Sequence, residues 1–504
     1  MLAALPSLAV LAQGMAVQGR VTDGRQGLAG VRVYPDRTRH VTVLDPPPVA
    51  VTDGEGRFRL RVDDRDAVLA VEKDGWQRDL VPKAEWNAEI RLRPAPEFRV
   101  ERAMVVRLDI PGQASTLPDE PLRRLLFSRD PGAASAANYL YEVSKGSLIL
   151  EEGVWKRMAV DAKLPADQDE RAQALGAFVV ERLEGTRLGD LDQVDNRTGQ
   201  RRPDGKPDHL WTFAPGNPQS LTGSKEDLKE RTILEPLRSK PSTRWGVVVM
   251  TEQVSLGSVV HEAFHEMGEH RVDDLYLGCD DPLTAGIWDL MDVGQYRGWD
   301  RSHQEQGPWQ EDTGYSPSQP GSWVRSELWY HGRFSETVRT IRLTIPPRRT
   351  SRNDRRGAGP LQWSGWIAPL ARAPGADPQR VVLPDPSVPG AFWNLEVRRP
   401  WGFDHGRVGN RWGPGHEGLI VSHVDPDLLS DDEPEGPVRV MDAHPGTEEP
   451  APPRFPCQRY ELDDAAFNLG GDENPKGRDG AFGWAVLETD ASGRMKVRVE
   501  LRGR

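Results

Sequence analysis

Residues 246–268 read GVVVMTEQVSLGSVVHEAFHEMG, an apolar run followed by an amphipathic segment that carries two histidines. GVVVM predicts a short buried strand. The following segment predicts a helix that begins near Ser255 or Ser258 and ends at Gly268, a residue that readily adopts the left-handed conformation of a helix end. The apolar residues of this helix recur at helical spacing and form a face for the core: Leu256, Val260, Ala263, Phe264 and Met267.

The polar residues of the same helix form an HExxH pattern. His261 and His265 are four residues apart, so a helix places them on one face, which we expect to open into a cleft. Two imidazoles in this arrangement can bind one Zn²⁺, and Glu262 can take a proton from a water molecule beside it. The pattern also arises by chance on surface helices with solvated histidines, so its surroundings decide between the two interpretations.

Length and charge limit the class of protein. The chain has 504 residues, with 65 basic and 77 acidic side chains and a net charge of −12. This length predicts two to four domains. The acidic balance argues against nucleic-acid binding. The 43 prolines and 50 glycines are typical of loop-rich β-structure.

Residues 1–16, MLAALPSLAVLAQGMA, are apolar and end in small residues. They resemble a secretory signal with Gly14 and Ala16 at cleavage-type positions, although the basic start of such signals is absent. We therefore expect a secreted protein; a late start codon or a buried strand are the alternatives. No later run reaches the roughly 18 apolar residues of a membrane span.

The two cysteines, Cys279 and Cys457, do not form a disulfide framework. Export would permit one bridge between them, and two free buried thiols are the alternative.

The pattern of strands and turns divides the remaining chain into three parts. Residues 17–97 alternate apolar and polar positions between Gly and Asp turns and predict a separate β-sandwich, followed by a linker at 91–100. Residues 98–335 mix strands with two predicted helices, one within 133–148 that ends near Gly146 and one over roughly 166–186. Residues 336–504 predict a β-rich domain. The fold class is therefore α+β and multidomain.

Two sets of motifs in this sequence resemble known protein families. VQGRVTDGRQGLAGVRVYP (17–35) and AVTDGEGRFRL (50–60) resemble the carboxypeptidase regulatory-like β-sandwich, which implies no catalysis. HEAFHEMGEHRVDDLYLG (261–278) and GIWDLMDVGQYRGW (286–299) resemble the immune inhibitor A family of secreted bacterial zinc metallopeptidases. That family is related to the metzincins, so the resemblance implies a metzincin-like α/β catalytic domain, with Met291 in a Met turn beneath the zinc.

Further pieces resemble the same family in the same order across roughly residues 98–504. They are NYLYEVSKGSLILEEGVW (138–155), PGSWVRSELWY (320–330), NLEVRRPWGFD (394–404), GLIVSHVD (418–425) and VRVMDAHPG (438–446).

The third zinc ligand is where this sequence departs from the family pattern. The family places an Asp three residues after the Gly, where this chain has Arg271, which stays protonated and cannot bind a metal. When this sequence is aligned with the family pattern on the Leu-Tyr pair, Asp274 is the counterpart of the family's Asp ligand. His270 and Asp273 are the competing ligands, since imidazole and carboxylate groups both bind Zn²⁺.

Residues 192–208 are a second candidate ion site. The acidic cluster resembles a Ca²⁺ loop of the family, and hard oxygen ligands suit Ca²⁺. Arg and Lys side chains interrupt the cluster, so a solvated polar turn is the favoured alternative. The candidate ligands are Asp192, Asp195, Asn196, Asp204 and Asp208.

The sequence therefore predicts a secreted zinc endopeptidase that acts on protein or peptide substrates. The zinc ligands would be His261, His265 and Asp274, with Glu262 as the catalytic base. The alternative is a catalytically impaired, peptidase-like binding module of an extracellular assembly. Tyr296 and His423 are interpreted as packing and strand residues, and the sequence carries no signal for an oligomeric state.

Overall fold

The computed structural model shows a mixed α+β protein that is richer in strand than in helix. The described residues are 14–36, 47–63, 67–113, 115, 117–161, 163–165, 168–196, 198–215, 247–252, 254–268, 272, 275, 284–296, 317–328, 334–344, 361–405, 417–428, 436–445, 462, 464–469 and 474–501. Within them the strands form five sheets.

The first two sheets pack as a sandwich. Phe58, Leu60 and Val62 point into its core because alternate residues of a strand face the same side. One sheet has the order β4-β1-β7 and the other β3-β2-β5-β6. The strands are β1 (Met15–Thr22), β2 (Arg32–Pro35), β3 (Ala50–Val51), β4 (Arg57–Val62), β5 (Val68–Glu72), β6 (Asp79–Pro82) and β7 (Glu89–Arg91).

The sandwich packs directly against the C-terminal part of the chain. Every residue of β5 is buried. Leu69 and Val71 face the sandwich core, whereas Ala70 packs with Ala371 and Trp401 from the C-terminal part of the chain. A strand buried on both faces must be covered on both sides, so the outer face of this sheet is an internal interface.

The middle of the chain forms a four-stranded, fully parallel sheet of order β11-β10-β8-β9. The predicted strand at 246–250 and the predicted helix at 166–186 are confirmed with small shifts of their ends. The elements are β8 (Arg99–Asp109), α1 (Asp119–Phe127), α2 (Ala136–Val143), β9 (Leu148–Ala159), α3 (Gln168–Leu183), β10 (His209–Ala214), β11 (Val248–Thr251) and α4 (Leu256–Gly268).

Helix α2 begins three residues later than the predicted helix and ends, as predicted, close to Gly146. The Ser135 side chain accepts a hydrogen bond from the backbone N–H of Asn138 (3.1 Å) and so caps the first turn. Lys145 and Gly146 both have positive φ, at 54° and 79°, which ends the helix before Gly146.

The C-terminal part is β-rich, as predicted. One sheet has the order β12-β14-β15-β16-β17 and the other β13-β20-β19-β18. The strands are β12 (Thr340–Arg342), β13 (Leu361–Ile367), β14 (Arg380–Pro384), β15 (Phe392–Arg398), β16 (Gly418–Val424), β17 (Val438–Val440), β18 (Lys476–Asp479), β19 (Phe482–Thr489) and β20 (Met495–Leu501).

The core beneath α4 extends into this C-terminal part. Phe264 and Met291 belong to the same buried cluster as Ile420 of β16 and Val438 of β17. The parallel sheet and the first C-terminal sheet therefore share one hydrophobic core around the histidine-bearing helix.

A buried ionic cluster joins the sandwich to the rest of the molecule. The Arg78 guanidinium lies 2.9 Å from Glu142 of α2, 3.3 Å from Glu72 and 3.6 Å from Asp36. Glu142 also accepts the backbone N–H of Phe403 (2.7 Å). One carboxylate thus links three segments that are far apart in sequence.

The end of the signal-like segment 1–16 lies within the described structure. The proposed cleavage positions coincide with the start of β1, where Met15 pairs with Val62 and Ala16 with Arg61. Cleavage after Ala16 would remove both pairs.

Within the part of the chain that the structure describes, none of the helices is both long enough and apolar enough to cross a bilayer.

Replacing Arg78 with Ala should strongly destabilise the protein, because it leaves buried carboxylates without their shared cation. Breaking a buried ion pair in this way costs about 3–5 kcal/mol. Urea denaturation measures the loss, and the exposed Arg59→Ala on β4 is the matched control. A loss in Arg78→Ala as small as in the control would contradict the role of this cluster.

Candidate metal centre

Helix α4 begins and ends as the sequence predicted. The Ser255 hydroxyl accepts a hydrogen bond from the backbone N–H of Ser258 (3.2 Å), which caps the first turn. The predicted apolar face is buried throughout and belongs to the shared core. It packs edge-on against α2, with the rings of Phe264 and Tyr139 at 6.4 Å.

The segment that contains Met291 lies directly against the first turn of α4. A Cβ at Gly257 would lie 1.7 Å from the carbonyl oxygen of Gln295, so only glycine allows this backbone-to-backbone approach. Asp289 holds the segment in place, because its carboxylate accepts the backbone N–H groups of Met291 (2.9 Å) and Gly321 (2.7 Å). Burial raises the pKa of Asp289 to about 7.

Both histidines turn inward, towards backbone carbonyl groups. His261 Nδ1 lies 3.0 Å from the oxygen of Leu290, and His265 Nδ1 lies 2.6 Å from the oxygen of Val272. His261 is only 2% exposed and His265 is half-buried. The expectation of a face open to a cleft is therefore wrong for His261, because the segment around Leu290 covers its ring.

These carbonyl contacts fix the tautomer of each ring. A carbonyl oxygen only accepts hydrogen bonds, so Nδ1 carries the proton and the neutral ring presents a lone pair on Nε2. The two Nε2 atoms lie 3.1 Å apart. Two Nε2 lone pairs at this distance repel each other unless a metal ion lies between them or a proton joins them in a hydrogen bond.

The separation fits a zinc ion. Two nitrogen ligands, each about 2.05 Å from Zn²⁺ and about 100° apart around it, are about 3.1 Å from each other. The rings of His261 and His265 are nearly perpendicular, at 83°. A histidine ligand commonly donates its second N–H to a carbonyl or carboxylate group, and Leu290 and Val272 provide that partner here.

The remaining predicted site residues fall into two groups. Glu262 is buried beside His261, at 6% exposure, and Met291 is fully buried in the core next to α4. Asp274 and the competing ligands His270 and Asp273 lie outside the described residues, as do Cys279 and Cys457.

The described neighbours of Asp274 are anchored to the site. Val272 accepts the hydrogen bond from His265. Leu275 donates its backbone N–H to the carbonyl oxygen of Met291 (2.8 Å).

Sequence reasoning missed the group that fixes α4 to the sheet. Glu266, which follows His265, accepts hydrogen bonds from the backbone N–H of Leu210 (2.7 Å), the Trp211 indole (3.0 Å) and His209 Nδ1 (3.0 Å). The other ring nitrogen of His209 lies 2.9 Å from Glu101. The only signal in the sequence was a second glutamate directly after the motif.

The charge state of His209 follows from its position between two carboxylates. Burial lowers the pKa of His209, but the hydrogen bonds to Glu266 and Glu101 outweigh it and raise the pKa to about 10. His209 is therefore a buried cation between Glu101 and Glu266, the glutamate that directly follows the HExxH pattern.

In the acidic loop at 192–208, the described Asp side chains mainly accept hydrogen bonds from backbone N–H groups of the same loop. Asp192 and Asp208 accept backbone N–H groups across the loop, and Asp195 pairs with Arg202. Among the described residues of this loop, no three carboxylate side chains bring their ligand atoms within 4.8 Å of one another.

A different group of potential metal ligands lies in the C-terminal part. Asp442, His444 and Asp464 each place a ligand atom within 4.8 Å of the other two. His423, on β16, instead lies 3.0 Å from Asp385 within its sheet.

Comparison with known proteins does not assign the chain. No family model matches it, and no curated protein matches it.

Replacing Gly257 with Ala should destabilise the protein although Ala favours helix by about 1 kcal/mol. The added methyl group overlaps the Gln295 carbonyl group, and overpacking of this kind costs about 1–3 kcal/mol. Urea denaturation measures the change. Gly54→Ala, where a Cβ meets nothing within 4 Å, is the control, and a gain in stability for Gly257→Ala would contradict the close approach.

The pKa of His209 predicts a pH dependence of stability. A histidine whose pKa rises from 6.5 to about 10 on folding contributes fully below pH 6.5, and its contribution is lost as the pH rises through 10. The free energy of unfolding should fall over this range more steeply in the wild type than in His209→Gln. Equal slopes in denaturation series from pH 6 to 10 would contradict a buried imidazolium.

Proposed function

We propose that this chain is a zinc-dependent endopeptidase that hydrolyses peptide bonds of protein substrates. The observation that carries the proposal is the 3.1 Å separation of His261 Nε2 and His265 Nε2, each with its proton directed away to a carbonyl group. Two neutral imidazole nitrogens with this separation suit a single Zn²⁺.

The third ligand in this proposal is Asp274. It is supported by its described neighbours Val272 and Leu275, which are hydrogen-bonded to His265 and to Met291. His270 and Asp273 are the alternatives, and zinc analysis of each alanine variant separates them.

In the proposed reaction, the zinc ion and the protein side chains have different roles. Bound Zn²⁺ supplies a Lewis acid that polarises the scissile carbonyl group and lowers the pKa of water. Glu262, next to His261 on α4 and largely shielded from solvent, accepts a proton from water and delivers it to the leaving amine. Glu266 and His209 hold α4 against the sheet and so orient the two histidines.

The resemblance to immune inhibitor A-like metallopeptidases and the signal-like residues 1–16 support export as part of the same proposal. An exported peptidase meets protein substrates outside the cell. In this proposal the N-terminal sandwich is part of the enzyme, because it packs against the C-terminal part of the chain.

Replacing Glu262 with Gln should abolish proteolysis while zinc remains bound. The variant keeps the side-chain volume and both histidines but removes the proton acceptor, and general-base catalysis contributes about 10²–10⁴-fold. Casein cleavage and zinc analysis measure the two properties on one preparation. Glu181→Gln, an exposed residue of α3, is the matched control.

Two results would contradict the proposal in different ways. Undiminished cleavage by Glu262→Gln would remove the proposed base. Stoichiometric zinc in a wild type that cleaves no protein or peptide would favour a peptidase-like binding module instead.

A further inference from the structure

Three potential ligand side chains converge just after β17. Asp442 and His444 follow this strand, and Asp464 approaches from a later segment, with one ligand atom of each within 4.8 Å of the other two. All three are half-buried, so they are held by the fold yet accessible to an ion from solvent.

The imidazole of His444 is fixed in the same way as the two histidines of α4. His444 Nδ1 donates to the backbone carbonyl oxygen of Asp464 (2.7 Å), so Nε2 carries the lone pair. The backbone N–H of His444 donates to Asp442 Oδ1 (2.8 Å), which orients that carboxylate. A carbonyl partner for the second ring nitrogen is the usual surrounding of a histidine ligand.

The donor set selects the class of ion. One imidazole nitrogen and two carboxylate oxygens suit a borderline divalent ion such as Zn²⁺. Ca²⁺ takes oxygen ligands alone, and soft Cu(I) prefers sulfur. Ligands about 2.1 Å from one ion lie roughly 3–3.5 Å apart, and the three ligand atoms here lie within 4.8 Å of one another.

The site lies where the C-terminal sheet meets the segment below α4. The backbone N–H of Val440 donates to the carbonyl oxygen of Thr284 (2.8 Å). The Trp288 indole donates to the carbonyl oxygen of Leu462 (2.6 Å). An ion held by Asp442, His444 and Asp464 would therefore tie β17 to the chain that supports Trp288.

We propose that Asp442, His444 and Asp464 bind a second Zn²⁺ that links residues 464–467 to the chain directly after β17. This site is separate from His261 and His265, so it can be tested independently of the proposed peptidase function.

The metal content of purified full-length protein from zinc-replete medium tests the proposal. The wild type should contain two zinc ions per chain. His444→Gln and Asp464→Asn should each contain one, as should His261→Ala, and His261→Ala combined with His444→Gln should contain none. His423→Gln, in the same C-terminal sheet but outside the group, is the matched control and should keep two.

Thermal unfolding gives a second reading that does not require activity. Zn²⁺ added to metal-stripped His261→Ala should raise its Tm, because only the proposed second site remains to bind it. The same addition should leave the Tm of the His261→Ala, His444→Gln double variant unchanged, and Ca²⁺ should leave both unchanged.

Each contrary result has a distinct meaning. Wild-type zinc content in both His444→Gln and Asp464→Asn would overturn the second site. So would an equal Tm rise in the single and double variants. Two zinc ions in His261→Ala, with one in His444→Gln, would support the second site and count against the site on α4.

Discussion

The hydrogen bonds from His261 and His265 to two backbone carbonyl groups are the constraint on which the candidate centre depends. They place each proton on Nδ1 and leave two Nε2 lone pairs 3.1 Å apart. The acceptors, Leu290 and Val272, come from outside the helix, so the chain on both sides of residue 280 controls the orientation of the two rings. A helix with the same motif but without these carbonyl groups would leave both rings free to rotate.

The position of α4 relative to its surroundings is in turn fixed by buried charge and close packing. Glu266 binds the helix to β10 through His209, Leu210 and Trp211. Gly257 lets the turn at Gln295 approach the other end of the helix. The helix is therefore held at both ends, and its apolar face is covered by a core that the parallel sheet shares with the C-terminal strands.

Local sequence patterns predicted the parts that depend on neighbouring residues. The bounds of α4, its apolar face and the C-terminal strands were confirmed because helical and strand periodicity report burial directly. Partners distant in sequence were not predictable in this way. Glu266 and Glu101 meet at His209, and Asp442 and His444 meet Asp464, only because the fold brings them together. The packed outer face of the sandwich was missed because a buried β5 looks the same in sequence whichever segment covers it.

Anomalous diffraction at the zinc edge, from crystals of the zinc-loaded protein, tests the central claim most directly. The account predicts a zinc peak about 2.1 Å from Nε2 of both His261 and His265, with each Nδ1 still within hydrogen-bond distance of its carbonyl oxygen. The absence of a peak between these two nitrogens, or rings whose Nε2 atoms point apart, would contradict it.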